Sequence, residues 1–295
     1  MGEFHGGGKK RSSFEGWYYK HQNREDTISF IAGAGCDPEG NRTAFLQVIT
    51  DSASCHIPFR FSEFHFCPRD GGVRLGQQMF GPRGIRVDLD TKAIRCRGWL
   101  RYGPLTPPES DVMGPFRFVP FLECSHGVLS MKHSLTGSLE INGRQVDFGG
   151  GTGYMEKDWG SSFPKRYLWV QCNRFPESTV SVMASIADVP FAGLSFRGCI
   201  ALVRYRGREY RFATYRGVQI VRCGRSGFVV KQGNLVLEAE IMGKGAARKL
   251  LAPCMGAMLR TIRESVSCRA RFRFYRDGKL LFDQTSDQAG FEYVV

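Results

Sequence analysis

RARFRFYRDGKLLF (Arg269–Phe282) decides the fold. Arg269, Arg271 and Arg273 share one parity, and Ala270, Phe272 and Phe274 share the other. A period of two is what a strand with one wet and one buried face requires, whereas a helix would scatter the arginines round its circumference. Asp277-Gly278 then supplies the positive φ angles of a tight hairpin turn, and KLLF runs back. The segment reads as a β-hairpin.

The same grammar recurs throughout the chain. TAFLQVIT (43–50), SLEI and RQVDF on either side of Asn142-Gly143, TVSVMASI (179–186), and CIALVRY (199–205) before Arg206-Gly207 all read as strands, and DPEGN (37–41) as a turn. Phenylalanine, with 23 residues, is common and favours strands. Helical periodicity surfaces only around Ala246–Leu251, where Pro253 stops it, so at most one short helix is expected. The 295 residues suffice for one large domain or two ordinary ones. Gly149–Gly151 is the natural break, because FEGWYYK (14–20) and YMEKDWG (154–160) open segments of similar layout. The expectation is all-β: a flexible leader (1–11) and two antiparallel β-barrels, 12–148 and 149–295.

The net charge of +13 sits almost wholly between Arg204 and Lys279, which hold 18 Lys and Arg against 5 Asp and Glu. Arginine at every second residue is the solvated face of antiparallel strands, and it also guards edges. The excess would suit peripheral contact with an anionic membrane. No aromatic-basic recognition motif accompanies it, so a nucleic-acid partner is not expected. Ten cysteines show no CxxC pair, which speaks against a metal knuckle and for reduced thiols in the cytoplasm. No apolar run approaches the ~20 residues of a membrane helix. No cofactor or metal is called for.

The chemistry concentrates in GYMEKDWGSSFP (153–164). On a strand, Tyr154, Glu156 and Asp158 face one way, and Met155, Lys157 and Trp159 the other. Two carboxylates about 6.5–7 Å apart along a strand resist ionising together in a pocket, so one can serve as an acid. An ion-paired loop neutralised by Lys157 is the competing reading. In the following RYLWVQCNRF, Tyr167, Trp169, Gln171 and Asn173 join aromatic surface to amides, a mixture suited to an apolar ligand with a few polar atoms. Further on, Glu264 shares its parity with Ile262, Val266, Cys268, Ala270 and Phe272, unless the strand bends near Ser265–Ser267. His126 and His133, seven residues apart, fall on opposite faces of a strand and form no paired metal site.

FEGWYYK, HGVLSMKHSLTG (126–137), GYMEKDWGSSFPKRYLWVQCN (153–173), MLRTIRES (258–265) and AGFEY (289–293), in that order, resemble the tocopherol cyclase-like family. The resemblance covers residues 12–295, and its specific part is EKDWGSSFP followed by WVQCN. It implies paired lipocalin-like barrels related to carotenoid hydratases, and closure of a chromanol ring from a prenylated benzoquinol without a cofactor. Asp158 or Glu156 would then protonate the alkene. Trp17, Trp159 and Trp169 would shelter the cation, Gln171 and Asn173 would orient the quinol oxygens, and Tyr18, Tyr154, His126 and Glu264 would complete the lining. A non-catalytic carrier of a hydrophobic isoprenoid is the alternative, and a polyanion-binding module the third.

Overall fold

The two positive-φ residues expected at each tight turn are present: Asn142 and Gly143 at 50° and 82°, Arg206 and Gly207 at 49° and 79°, Asp277 and Gly278 at 52° and 72°. These pairs pin the register of the hairpins they close. The structure, a computed structural model, describes residues 4–5, 11–119, 122–191, 194–243 and 245–295. Its regular elements are β-strands joined by turns, some of them short 3₁₀ turns. Two antiparallel sheets result.

The first sheet runs from edge to edge as Ser54–Arg60, Arg42–Thr50, Thr27–Cys36, Ser13–Gln22, Thr152–Gly160, Cys124–Ile141, Arg95–Tyr102, Gly84–Asp90, Gln78–Gly81, Gly72–Leu75 and Phe64–Cys67. It surrounds one core that includes Tyr19, Phe30, Leu46, Phe80, Leu100 and Met155. The second runs as Arg208–Ala213, Leu194–Tyr205, Ser181–Phe191, Tyr167–Cys172, Lys279–Val294, Ala257–Arg276, Leu235–Gly243, Gly227–Gln232 and Gln219–Gly224. Its own core includes Leu168, Val170, Phe212, Phe228, Phe272 and Phe274. Each fully buried side chain of this kind is worth about 1.5–3 kcal/mol. The Arg269, Arg271 and Arg273 face does stay outside, each guanidinium beside an acid: Asp287, Asp283 and Glu238.

By internal contacts the chain forms two units. One comprises Met1–Pro107, Cys124–Phe163 and Lys249–Ile262; the other Pro108–Glu123, Pro164–Arg248 and Arg263–Val295. The Gly149–Gly151 cluster is a turn inside the first unit, because the strand after it is laid between Ser13–Gln22 and Cys124–Ile141. Most of the expected leader, residues 1–3 and 6–10, lies outside the described residues. Phe4 and His5 are packed: Phe4 stands 5.2 Å from Phe64 and 5.7 Å from Phe66, and the His5 ring stacks on Trp159 at 4.6 Å.

At most one short helix is expected from the sequence, around Ala246–Leu251, and the structure places a strand over most of that stretch. Arg248–Cys254 is a strand that pairs with Ala257–Arg276. The Gln47 side-chain amide donates to the Leu251 carbonyl at 2.9 Å and accepts from the Leu251 N–H at 2.8 Å. The Ser54 hydroxyl donates to the Lys249 carbonyl at 2.7 Å. These bonds occupy backbone groups that a helix would have used, and they override the propensity of Ala, Lys and Leu.

Candidate functional site

The strand Thr152–Gly160 sits between two neighbours whose register fixes what each side chain meets. Tyr18 lies opposite Glu156 and Trp17 opposite Lys157 on one side; His126 lies opposite Asp158 on the other. Alternation then sorts the groups by face.

On the first face four groups form a line. The Tyr154 hydroxyl donates to Glu156 Oε2 at 2.6 Å. Glu156 Oε2 is 3.6 Å from His126 Nε2, and His126 Nδ1 is 2.8 Å from Asp158 Oδ1. Beside them Tyr18 meets Tyr154 edge-on at 6.5 Å and accepts a hydrogen bond from the Ser29 hydroxyl at 3.0 Å. Burial alone would push His126 down. The Asp158 and Glu156 carboxylates, with the Asp158 hydrogen bond, outweigh it and raise the imidazole to about 9. Burial, then Glu156, lifts Tyr154 far above the ordinary tyrosine value, so its hydroxyl keeps its proton and stays a donor. Asp158 is the most accessible of the three ionisable groups, its side chain 20% exposed against 12% for His126 and 6% for Glu156.

The arrangement is hydroxyl, carboxylate, imidazolium, carboxylate, with one end open to solvent. It can hold a proton at neutral pH and pass it along. Donor atoms of His126, Glu156 and Asp158 also lie within 4.8 Å of one another, so the same three residues could hold a cation if the imidazole gave up its proton.

The second face is closed. Lys157 Nζ is 2.5 Å from Glu15 Oε1, the two side chains being 4% and 0% exposed. The ammonium also lies 5.1 Å from each of the Trp17 and Trp159 ring centroids. The His5 backbone N–H donates to Glu15 Oε2 at 2.7 Å. Trp17 and Trp159, expected to shelter the cation formed beside the carboxylates, therefore stand across the strand from those carboxylates. Sequence neighbours on a strand are face opposites. On this side an open recess of about 590 Å³ is lined by Phe4, Phe61, Phe64, His65, Phe66 and Pro68, with Trp17 stacked 5.8 Å from Phe66.

Trp169, Gln171, Asn173 and Glu264 belong to the second unit. Trp169 and Gln171 face away from Leu168, Val170 and Cys172, which enter the core, and Gln171 and Asn173 are fully buried. Glu264 is corrected in direction. Register shifts between Ser265 and Cys268 and between Cys268 and Ala270 put it opposite Glu292, and Trp169 lies opposite Glu292 as well. Glu264 thus leaves the face of Cys268, Ala270 and Phe272. Glu292, which accepts from the Tyr167 hydroxyl at 2.5 Å, carried no signal in the sequence beyond its place in AGFEY.

Two residues gained importance only with the register. Glu15, inside FEGWYYK, is not among the candidate site residues read from the sequence. His133 lies inside the first unit, its ring 4.3 Å from Tyr102, whose hydroxyl meets His21 Nε2 at 2.5 Å.

The chain has counterparts among known proteins. A profile of the family described as "Tocopherol cyclase-like" matches residues 92–294. A chloroplastic "probable tocopherol cyclase" of Oryza sativa subsp. japonica is 26% identical over 210 residues, 66% of this chain and 44% of that protein. A chloroplastic tocopherol cyclase of Zea mays is 23% identical over 221 residues, 70% of this chain and 43% of that protein. The chain therefore spans less than half the length of these relatives. Among solved structures, kievitone hydratase from Nectria haematococca shares the fold, with a TM-score of 0.55, 13% identity, and coverage of 97% of this chain and 90% of that one.

Proposed function

The chain belongs to the tocopherol cyclase-like family, and from that premise we propose a cofactor-independent enzyme of the cyclase or hydratase type. Its substrate is a prenylated benzoquinol or related isoprenoid, and its reaction is acid-catalysed addition of the phenol oxygen across a prenyl double bond. The observation that carries this reading is the imidazolium held between two carboxylates, with Asp158 at the accessible end.

Asp158 takes the proton from His126 Nδ1 and delivers it to the less substituted alkene carbon. The positive charge forms on the tertiary carbon, and the phenol oxygen bonds there. The phenol proton returns to the line, which is left as it began. Atoms and charge balance without oxidant or reductant, so substrate and product have equal mass. Glu156, fixed by Tyr154, keeps the imidazole protonated and oriented. Within the second unit, the buried aromatic and polar groups Trp169, Gln171, Asn173 and Glu264 are assigned to ligand contact, Trp169 and Gln171 facing away from that unit's core.

The carrier reading draws on the phenylalanine-lined recess, which lies on the opposite face of the sheet from the acid line. Incubation with a short-chain prenyl benzoquinol separates the possibilities. A product of unchanged mass identifies a cyclase, and one heavier by a single water identifies a hydratase. Substrate recovered intact from the protein after gel filtration, with no product, would leave a carrier and sink the enzyme reading.

A further inference from the structure

Among the described residues of the second unit, the two most exposed large apolar side chains stand on two segments that touch. Leu194, 79% exposed, stands at the end of the hairpin formed by Ser181–Phe191 and Leu194–Tyr205, with exposed Pro190 nearby on the facing strand. Phe118, 74% exposed, ends the 3₁₀ turn Gly114–Phe118. A ring stack joins the two segments: Phe116 lies on Phe196 at 6.0 Å and edge-on to Tyr215 at 6.2 Å.

The turn that carries Phe118 is firmly held. The Arg211 guanidinium donates to the carbonyls of Ser110 and Asp111 at 2.7 Å each, and the Tyr215 hydroxyl donates to that of Val112 at 3.1 Å. Gly114, at φ 52°, lies so close to the Tyr215 ring that an added Cβ would be 2.5 Å from it. Single exposed apolar residues need no account. Two on neighbouring segments joined by a ring stack, both turned to water, need one.

Their surroundings are basic. The Arg117 guanidinium lies 4.5 Å over the Phe118 ring. Arg216 follows Tyr215 and is exposed, as are Arg222 and Arg225 on either side of Cys223, which is within electrostatic reach of Arg197. Of the nearby acids, Asp188 is held by Arg197, and Asp111 accepts the Met113 N–H. The unit as a whole has 21 Lys and Arg against 13 Asp and Glu.

We propose that this tip docks on an anionic lipid surface, with Phe118, Leu194 and Pro190 entering the headgroup layer and the arginines meeting lipid phosphates. A nucleic acid would use the cations but give Leu194 and Pro190 nothing to bind. The inference goes beyond the proposed chemistry, and its test needs no turnover.

The full chain is sedimented with vesicles of phosphatidylcholine alone and of phosphatidylcholine mixed with phosphatidylglycerol, at low and high salt. Binding to the mixed vesicles is expected, weakening with salt. Phe118→Ser/Leu194→Ser, with an unchanged circular dichroism spectrum, should bind about tenfold or more weakly. Arg117→Gln/Arg216→Gln, which leaves the apolar tip intact, should bind several-fold more weakly with a shallower salt dependence. Absence of parent binding to mixed vesicles overturns the proposal, as does parent-like binding by both variants. Retention on duplex DNA without vesicle binding would reassign the patch to nucleic acid.

Discussion

Lys157 and Asp158 are consecutive in the chain, yet they stand on opposite faces of one strand in opposite electrostatic situations. Lys157 is paired with Glu15 at 2.5 Å, with both groups dry, two tryptophan rings around the ammonium and the His5 imidazole 3.3 Å from it. Asp158 shares one imidazole with a second acid, Glu156, and is the most accessible of the three. On the first of these faces a buried cation meets a buried anion, with the His5 ring against both, and the pair closes the structure. On the second, two anions share one imidazole and keep it protonated at neutral pH beside the accessible Asp158. The contrast teaches that the number of charges at a site says less than their ratio and their access to water.

Asp158→Asn should break the contrast most severely. Turnover per folded molecule should fall by about 10²–10⁴-fold, while the melting temperature falls only by what Asp158 contributes as one of the two carboxylate partners of the His126 imidazolium. Equal loss of activity and of melting temperature would make Asp158 structural. Lys157→Met should do the reverse. Leaving Glu15 buried without its cation should cost about 3–5 kcal/mol of stability, read by denaturant unfolding, with turnover per folded molecule nearly unchanged. Glu15→Gln/Lys157→Met should recover most of that loss.

The two faces should also differ in pH dependence. His126, raised to about 9 in the native state, contributes stability that is complete below its unfolded value near 6.5. That contribution, on the order of 3 kcal/mol, should be lost as pH rises through 9 and should be absent in His126→Gln. His21 and His133 act in the opposite sense. Burial, aided for His21 by its neighbour His133, holds both at about 3, so the native state keeps them neutral. Below pH ~6.5 they should each destabilise by up to about 1.4 kcal/mol per pH unit. Melting curves from pH 4 to 10, on the order of one per unit, resolve the two limbs. The smallest effect belongs to the chelator: EDTA should leave turnover within about twofold. Loss of turnover restored by added zinc or manganese would make His126, Glu156 and Asp158 a metal site.

Much of this contrast was legible in the sequence. The period of two in YMEKDWG separates Tyr154, Glu156 and Asp158 from Met155, Lys157 and Trp159, and those are the faces found. Placing Trp17 and Trp159 with the acids ignored that same period. The pairing of His126 with Asp158 joins residues 32 apart, and no local pattern states which rung of one strand meets which rung of another. Glu264 shows the cost of counting through an irregularity. A bend near Ser265–Ser267 could be anticipated, but its effect on parity could not, and the bulge turned the carboxylate to the other face. At Ala246–Leu251 local propensity pointed to a helix, and the Gln47 amide, some 200 positions earlier, decided for a strand. Alternation is written locally. Register, bulges and side-chain-to-backbone bonds are settled by partners far along the chain.

The central claim is that the protein itself protonates a carbon–carbon double bond. Running the reaction with a short-chain prenyl benzoquinol in D₂O tests it most directly, with the product returned to H₂O before mass spectrometry to wash out hydroxyl deuterium. The account predicts one retained deuterium per product molecule, on the carbon beside the new C–O bond, and little or no labelled product in the same time when Asp158→Asn replaces the parent. A ring-closed product without deuterium at that carbon would contradict it.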